Sequence, residues 1–544
     1  MSARLGSEIS LLEMLLSITR RTLLTHLRVS SRRHLRCIST ITVDPAVRDL
    51  TSNLVQRYPA FSISPNNITI LSKPREFYTL LVDMVRRAES RIFISSLYIG
   101  SGEIELVNAL TEELSKKPAL QLHLHLDLNR STRPGASSTA KLLLPLIHAY
   151  PKRVHVSLFR SPSLRGILAK LVPPRFNEGW GTWHAKIYGV DDEVMISGAN
   201  LNESYFNNRQ DRYIHFTSQP RLAQYCFDFL QTISTFSYKL LPSTPISSTH
   251  SYQQEDYTLQ WPDPDTHPHH IHQKAEAAIS AFQTSRRQSE SAESDGVVIF
   301  PIIQAGQFNV REEETALWLL FHHLNSQSSQ KPPKTKKPLV DLTSGYFGLY
   351  EPYQDLILAS DVKTRIVAAS PKANGFFGSR GISGRIPEGY TLLEQKFMRA
   401  VKLAGRKWHP STKQNDTTGV HLSEWEKPGW TYHAKGIWVS PNSSSPPVLT
   451  LFGSTNLNSR SAHIDTELSF IMVIPSEQQE LLNNEPSNDQ VEPGPVESSP
   501  ALLLRHKLAA EISNLRAHAV DWQGGRRKVR FWTKVIVRIV KGML

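Results

Sequence analysis

Cysteine is nearly absent from this 544-residue chain, where Cys37 and Cys226 are the only two. That excludes a disulfide framework and any zinc ribbon built from paired cysteines, and a reducing compartment is the simpler setting. Long apolar runs are missing too. No window approaches the roughly 18 consecutive apolar residues that a membrane span requires, so integral insertion is not expected. Charged residues make up only 20%, too few for a chain disordered throughout, while a 40% hydrophobic share supports packed cores. Acidic residues are in deficit: 62 Lys+Arg against 49 Asp+Glu leave a formal charge of +13. Such a surplus favours anionic partners but does not separate nucleic acid from phospholipid or nucleotide phosphate.

The basic surplus is concentrated at the two ends. Within residues 1–45, the first forty hold Arg4, Arg20, Arg21, Arg28, Arg32, Arg33 and Arg36 against Glu8 and Glu13, interspersed with Ser, Thr and Leu. That composition predicts a mitochondrial targeting segment, with an ordinary basic amphipathic helix as the plain alternative. Residues 501–544 end in QGGRRKVRFWTKVIVRIVKGML, where basic side chains alternate with Trp and aliphatics. This suits a segment lying on an anionic bilayer; a terminal helix or strand packed on the domain is the alternative.

Between the ends, helical and strand periodicities alternate twice. In 60–240, Phe77, Leu81, Met84 and Val85 write a helical stripe, and Leu120, Leu122, Leu124, Leu126 and Leu128 alternate as in a strand. Residues 241–295, rich in Ser, Thr, Pro, His and Gln, are expected to be a linker or irregular insertion. The alternation restarts over 296–475, and 476–500 has the composition of a disordered acidic insertion. The pattern predicts an α/β protein with two comparable lobes.

A repeated constellation lies inside those lobes. Gly179-Trp180 precedes Trp183-His184-Ala185-Lys186 and then Gly198-Ala199-Asn200-Leu201-Asn202; Gly429-Trp430 precedes Tyr432-His433-Ala434-Lys435 and then Gly453-Ser454-Thr455-Asn456-Leu457-Asn458. On a strand, His184 and Lys186 share one face, as do His433 and Lys435. Two such halves meeting would join two His, two Lys and two Asn, a set suited to phosphoryl transfer at a phosphodiester or pyrophosphate. One imidazole can attack phosphorus, the other can protonate the leaving oxygen, and Lys and Asn can offset oxyanion charge, so no metal or other cofactor is demanded. His123 and His125 lack a completing ligand cluster and are expected on an exposed strand face.

These residues resemble the His-x-Lys-x4-Asp motifs of the phospholipase D superfamily. His184, Lys186 and Asp191 fit fully, and Gly198 and Asn200 match the downstream Gly-x-Asn element. The second copy keeps His433, Lys435, Gly453, Ser454 and Asn456 but has Ser440 where the aspartate falls. The resemblance implies two α/β lobes, each a mixed sheet flanked by helices, related by a pseudo-twofold. It also implies catalytic His184, Lys186, Asp191, His433 and Lys435, substrate contacts from Asn200, Asn456 and Ser454, and orienting carboxylates Asp211 and Glu467. Arg130 and Arg209 are candidates to bind a substrate phosphate, with structural ion pairs as the alternative. Residues 197–213, 385–395 and 429–438 are similar to a mitochondrial branch that transfers a phosphatidyl group from CDP-diacylglycerol to glycerol 3-phosphate. The partners implied are those two substrates and, peripherally, an anionic membrane on the matrix side; nucleic acid is not expected. A phospholipase D, a cardiolipin synthase, a nucleic-acid phosphodiesterase and a non-catalytic scaffold are the rival readings.

Overall fold

The computed structural model describes residues 43–540 and 542, except 136–137, 166–171, 173, 244–248, 288–295, 331–336, 412–417 and 477–498. The expected targeting segment and acidic insertion therefore lie almost wholly outside the described residues.

Two ten-stranded sheets form the frame. The first runs Tyr252–Gln253, Tyr257–Gln260, Tyr238–Pro242, Val154–Phe159, Gln121–Asp127, Arg91–Ser95, Ile187–Val190, Glu193–Ser197, Tyr213–Phe216, Ile68–Leu71. The second runs Phe61–Ile63, Val297–Ala305, Glu467–Val473, Leu449–Gly453, Lys435–Ser440, Leu339–Ser344, Lys363–Ala369, Gly419–Trp425, Ala519–Asp521, with Val310–Arg311 beside Val297–Ala305. Each sheet carries three adjacent parallel strands (91–95, 121–127, 154–159; 339–344, 363–369, 419–425) continued by four antiparallel ones. Seven strands of each sheet thus correspond one to one, as the duplicated motif requires.

Helices cover the sheets, so central strands are buried on both faces. Pro74–Arg87 shows how such a helix is specified. Proline opens it, Glu76 accepts the N–H groups of Ser72 and Lys73 at 3.0 and 3.1 Å, and Phe77, Leu81, Met84 and Val85 pack inward. The double cover also corrects the reading of His125. Its ring is buried 4.4 Å from that of Trp183, and His123 stacks on His155, so neither lies on a freely exposed face.

Other boundaries shift as well. Within 241–295, Tyr252–Gln253 and Tyr257–Gln260 extend the first sheet and His272–Ser285 forms a helix that buries Ala275, Ile279 and Phe282. A short edge hairpin and a polar-faced helix carry too little periodicity to stand out from loop composition. Phe61–Ile63, early in the first half, pairs with Val297–Ile299 of the second sheet. The helix Arg48–Arg57 follows it there, placing Val47, Leu50 and Leu54 in the second core. The first core in turn reaches across to Trp438, Phe452 and Phe470, with Phe216 stacked 6.2 Å from Phe452. The two lobes are therefore joined by shared apolar packing.

Near the end of the chain, the helix Pro500–Arg516 inserts Glu511 beneath the lobe contact, Ala519–Asp521 closes an edge of the second sheet, and Phe531–Val540 forms a last helix.

Candidate active site

At the contact between lobes, His184-Ala185-Lys186 lies just ahead of the strand Ile187–Val190, and His433-Ala434 just ahead of the strand that Lys435 opens, Lys435–Ser440, so neither histidine is on a strand as the alternation predicted. The backbone leading into each pairs in parallel with the opposite lobe. Thr431 and Tyr432 register with Arg209 and Gln210, and Trp183 bridges to Thr466. Counting one residue further along each register sets His433 against Asp211 and His184 against Glu467. The side chains follow: His433 Nδ1 lies 2.6 Å from Asp211 Oδ2, and His184 Nδ1 lies 2.9 and 2.8 Å from the two Glu467 oxygens. Each imidazole is thereby held by a carboxylate of the other lobe, in equivalent registers.

Both histidines, both carboxylates and both lysines are buried. Burial, with Lys186 adding to it, holds His184 below its ordinary value despite Glu467, and His433 well below. Burial works against ionisation of Glu467, but His184 and Lys186 outweigh it and keep that carboxyl below the usual range. Asp211 goes the other way, raised by burial more than Lys435 lowers it. Burial thus disfavours free charge on both members of the Asp211–His433 pair.

The lysines are poised rather than fixed as cations. Burial lowers Lys186 to about 7 and Lys435 to about 8. Lys186 Nζ donates to the His184 carbonyl at 2.5 Å and Lys435 Nζ to the His433 carbonyl at 2.7 Å. Gly198 makes room for Lys435 beside Asp211: a Cβ there would stand 2.6 Å from Asp211 Oδ1 and 2.8 Å from Lys435 Nζ.

The remaining predicted residues separate. Asn200 is tied down, accepting the Leu97 N–H at 3.3 Å and donating to Tyr205 at 3.0 Å, whereas Asn456 Oδ1 is buried without a hydrogen bond among the described residues. Ser454 bonds to Leu468 and reaches Glu467. Arg209 sits over Tyr205 at 4.2 Å and donates to Thr431; Arg130 lies over Tyr98 at 4.1 Å and 3.8 Å from Glu178, which also holds Arg133. Asp191 is not in this group. Its carboxylate accepts the N–H groups of Glu89, Ser90 and Arg91 at 2.8 to 2.9 Å, in a turn where its own φ is 49°. It ties the start of one strand to the end of another and touches neither imidazole. Ser440, its counterpart by spacing, closes a strand opposite Leu339.

Several neighbours carry no local signal in the sequence. Tyr205 and Tyr346 set their rings edge-on to His433 at 5.2 and 5.4 Å. Asp465, two residues before Glu467, accepts from Thr182 and pairs with Arg460 at 2.9 Å. His184, Asp465 and Glu467 offer donor atoms within 4.8 Å of one another, a metal-ligand set by type, but these atoms are engaged with each other and with Thr182, Arg460 and Ser461. Chemically, two carboxylate-oriented imidazoles among two lysines can attack, protonate and screen a phosphorus centre placed between them.

No protein-family model matches the chain. The structure of phosphatidylserine synthase from Haemophilus influenzae superposes with a TM-score of 0.62 at 18% identity, covering 92% of this chain and 100% of that one. The two chains thus share one fold, a pair of mixed sheets flanked by helices. A probable CDP-diacylglycerol–glycerol-3-phosphate 3-phosphatidyltransferase of Dictyostelium discoideum is 34% identical over 461 residues, 81% of this chain and 75% of the relative. The mitochondrial enzyme of that name from Gallus gallus is 32% identical over 525 residues, 89% and 84% of the two chains, and that of Schizosaccharomyces pombe 34% over 454, 77% and 87%. The chain belongs to the CDP-diacylglycerol–glycerol-3-phosphate 3-phosphatidyltransferase family.

Proposed function

We propose that this protein transfers the phosphatidyl group of CDP-diacylglycerol to glycerol 3-phosphate through a phosphohistidine, giving phosphatidylglycerophosphate and CMP for phosphatidylglycerol and cardiolipin synthesis. The crossed pairs His184–Glu467 and His433–Asp211 support this reading above all. With Nδ1 committed to a carboxylate, each imidazole presents Nε2 to substrate. His184 Nε2 attacks the phosphatidyl phosphorus; the bond to the CMP oxygen breaks and His433 supplies that oxygen's proton. His433 then takes the proton of the glycerol 3-phosphate hydroxyl, whose oxygen attacks phosphorus and expels His184. Lys186, Lys435 and Asn456 face the oxygens that carry charge, and Arg209 receives the phosphate of the acceptor. The assignment of nucleophile to the first lobe follows superfamily habit.

The protein works in the mitochondrion, on the matrix side of the inner membrane, in peripheral contact with anionic lipid and without nucleic acid. The test is incubation of purified protein with CDP-diacylglycerol carrying labelled phosphatidyl phosphorus, in EDTA, with and without glycerol 3-phosphate. CMP release that depends on the acceptor, and an acid-labile adduct on His184, are expected. An adduct on His433 reverses the two roles, an adduct on neither overturns the covalent route, and release into water alone favours a hydrolase.

A further inference from the structure

Ten large apolar side chains stand exposed among the described residues. Five of them, Phe377, Ile382, Phe531, Trp532 and Ile539, lie on two segments that converge on one carboxylate. Glu388, in the first turn of the helix Ile386–Leu403, accepts from Arg530 Nε and Thr533 Oγ1, each at 2.9 Å, and lies 3.6 Å from Arg385 Nη1. That clamp sets the rotation of the last helix. Thr533 and Val537 turn inward and are buried, while Phe531, Trp532 and Ile539 are 70%, 71% and 76% exposed. At about 100° per residue, Phe531, Val535 and Ile539 fall on the face opposite Thr533 and Val537. A helix packed on a protein in water shows the reverse, with its polar residues outward. Exposed cations accompany the apolar face: Arg380, Arg526, Lys528, Lys534 and Arg538. No Asp or Glu follows Asp521 in the chain.

The opposite side of the helix Ile386–Leu403 faces the site. Tyr390 lies 5.6 Å from the ring of Tyr346, which borders His433. Gly375, just before Phe377, lies so close that a Cβ there would sit 3.0 Å from the Tyr346 hydroxyl and 3.3 Å from Arg209 Nη2. One wall therefore carries the imidazole's aromatic neighbours on its inner side and the apolar, cationic patch on its outer side.

We infer that Phe377, Ile382 and the outward face of Phe531–Val540 form a docking surface for an anionic phospholipid bilayer, which seats the rim of the site against the headgroups. The inference rests on the reading of that site as one that acts on a nucleotide-bearing lipid, and adds where the bilayer meets the protein. Charge selects the occupant. A second copy of this chain would present the same cations and be repelled, whereas anionic headgroups complement them while the aromatic side chains enter the interfacial region. No helix of the described residues is long and apolar enough to cross a membrane.

The test is co-sedimentation of the full chain with phosphatidylcholine vesicles and with phosphatidylcholine–phosphatidylglycerol vesicles, for the unaltered protein and for the Phe531→Ser, Trp532→Ser, Ile539→Ser triple variant. Binding to the anionic vesicles, weakened by salt, is expected, with a loss of about tenfold or more in the triple variant. CMP release from vesicle-borne CDP-diacylglycerol falls in parallel, while release from monodisperse short-chain CDP-diacylglycerol stays unchanged, which also shows that the variant is folded. Equal vesicle binding by both proteins overturns the inference. So does a patch whose substitution abolishes only a concentration-dependent dimer. Failure of the unaltered protein to release CMP from either lipid sinks the reading of the site and leaves the vesicle result to stand separately.

Discussion

At the scale of the residue, the decisive contacts join side chains more than 200 positions apart. Glu467 and Asp211 orient His184 and His433 without needing to touch substrate, so their loss disturbs tautomer and ring placement. Glu467→Gln and Asp211→Asn are each expected to lower kcat by about 10²- to 10⁴-fold with little change in KM, measured as steady-state CMP release. On the proposed mechanism, removing Lys435 or Lys186 is instead expected to weaken charge screening and to raise KM as well. The lysines also set a pH limit. Their cationic forms fade as pH rises through about 7 for Lys186 and about 8 for Lys435, so kcat/KM is expected to fall above about pH 7, and more steeply above about pH 8, in a pH–rate series. The same shift has a sign for stability. From about pH 7 to 10.5 the unfolded chain binds protons at Lys186 that the folded chain has released, so this group destabilises fully below that window and less as pH rises. Lys186→Met is therefore expected to raise Tm more at pH 6.5 than at pH 9 while abolishing turnover, as read by calorimetry at the two pH values. A margin that does not shrink with pH contradicts it.

At the scale of the element, Arg212 shows how three distant segments are locked. It follows Asp211 directly, donates through Nε and Nη2 to Glu511 at 2.8 and 2.9 Å, reaches the Leu451 carbonyl, and stacks 3.9 Å from Trp438, which also donates to Glu511. Gly436 makes room for it: at φ 150° a Cβ would fall 2.1 Å from Arg212 Nη1. Breaking one side of a buried pair leaves an uncompensated charge, so Glu511→Ala is expected to cost about 3–5 kcal/mol in denaturant unfolding. It also loosens His433 through Asp211, and kcat falls with stability; the Arg212→Leu, Glu511→Leu double variant recovers part of the stability. Nothing in the sequence announces this lock, because an arginine and a glutamate 299 positions apart leave no period or spacing. The twin His-Ala-Lys segments were legible for the opposite reason: each is a short contiguous motif, and the duplication stands out by eye, although neither histidine lies on a strand as the alternation predicted. Leu122, Leu124 and Leu126 likewise declared their strand, whereas the edge strands within 241–295 did not, being short and polar. Asp191 matched the motif spacing, yet its carboxylate completes a turn, since spacing says where a residue falls along the chain and not which neighbour its side chain meets.

At the scale of the whole molecule, the lobes are exchanged rather than merely apposed. The helix Arg48–Arg57 and strand Phe61–Ile63 belong to the second lobe although the first lobe follows them in the chain, and Arg209–Gln210 pairs with Thr431–Tyr432 in the other direction. Neither half holds a matched imidazole and carboxylate: one carries His184 and Asp211, the other His433 and Glu467. The covalent link across 288–295 joins a helix that ends at Ser285 to a strand that begins at Val297, and the contacts named above are made by other residues. Replacing 288–295 by a protease recognition sequence and cleaving there should thus leave one species on size exclusion with most of its CMP release intact. Once unfolded and separated, each half should refold inactive, because its interface face is apolar and its histidine lacks a partner, and mixing the halves during refolding should restore activity. Spontaneous separation of the cleaved protein, or turnover by one half alone, would show that the two histidines do not depend on each other's lobes and would remove the basis for a single shared site.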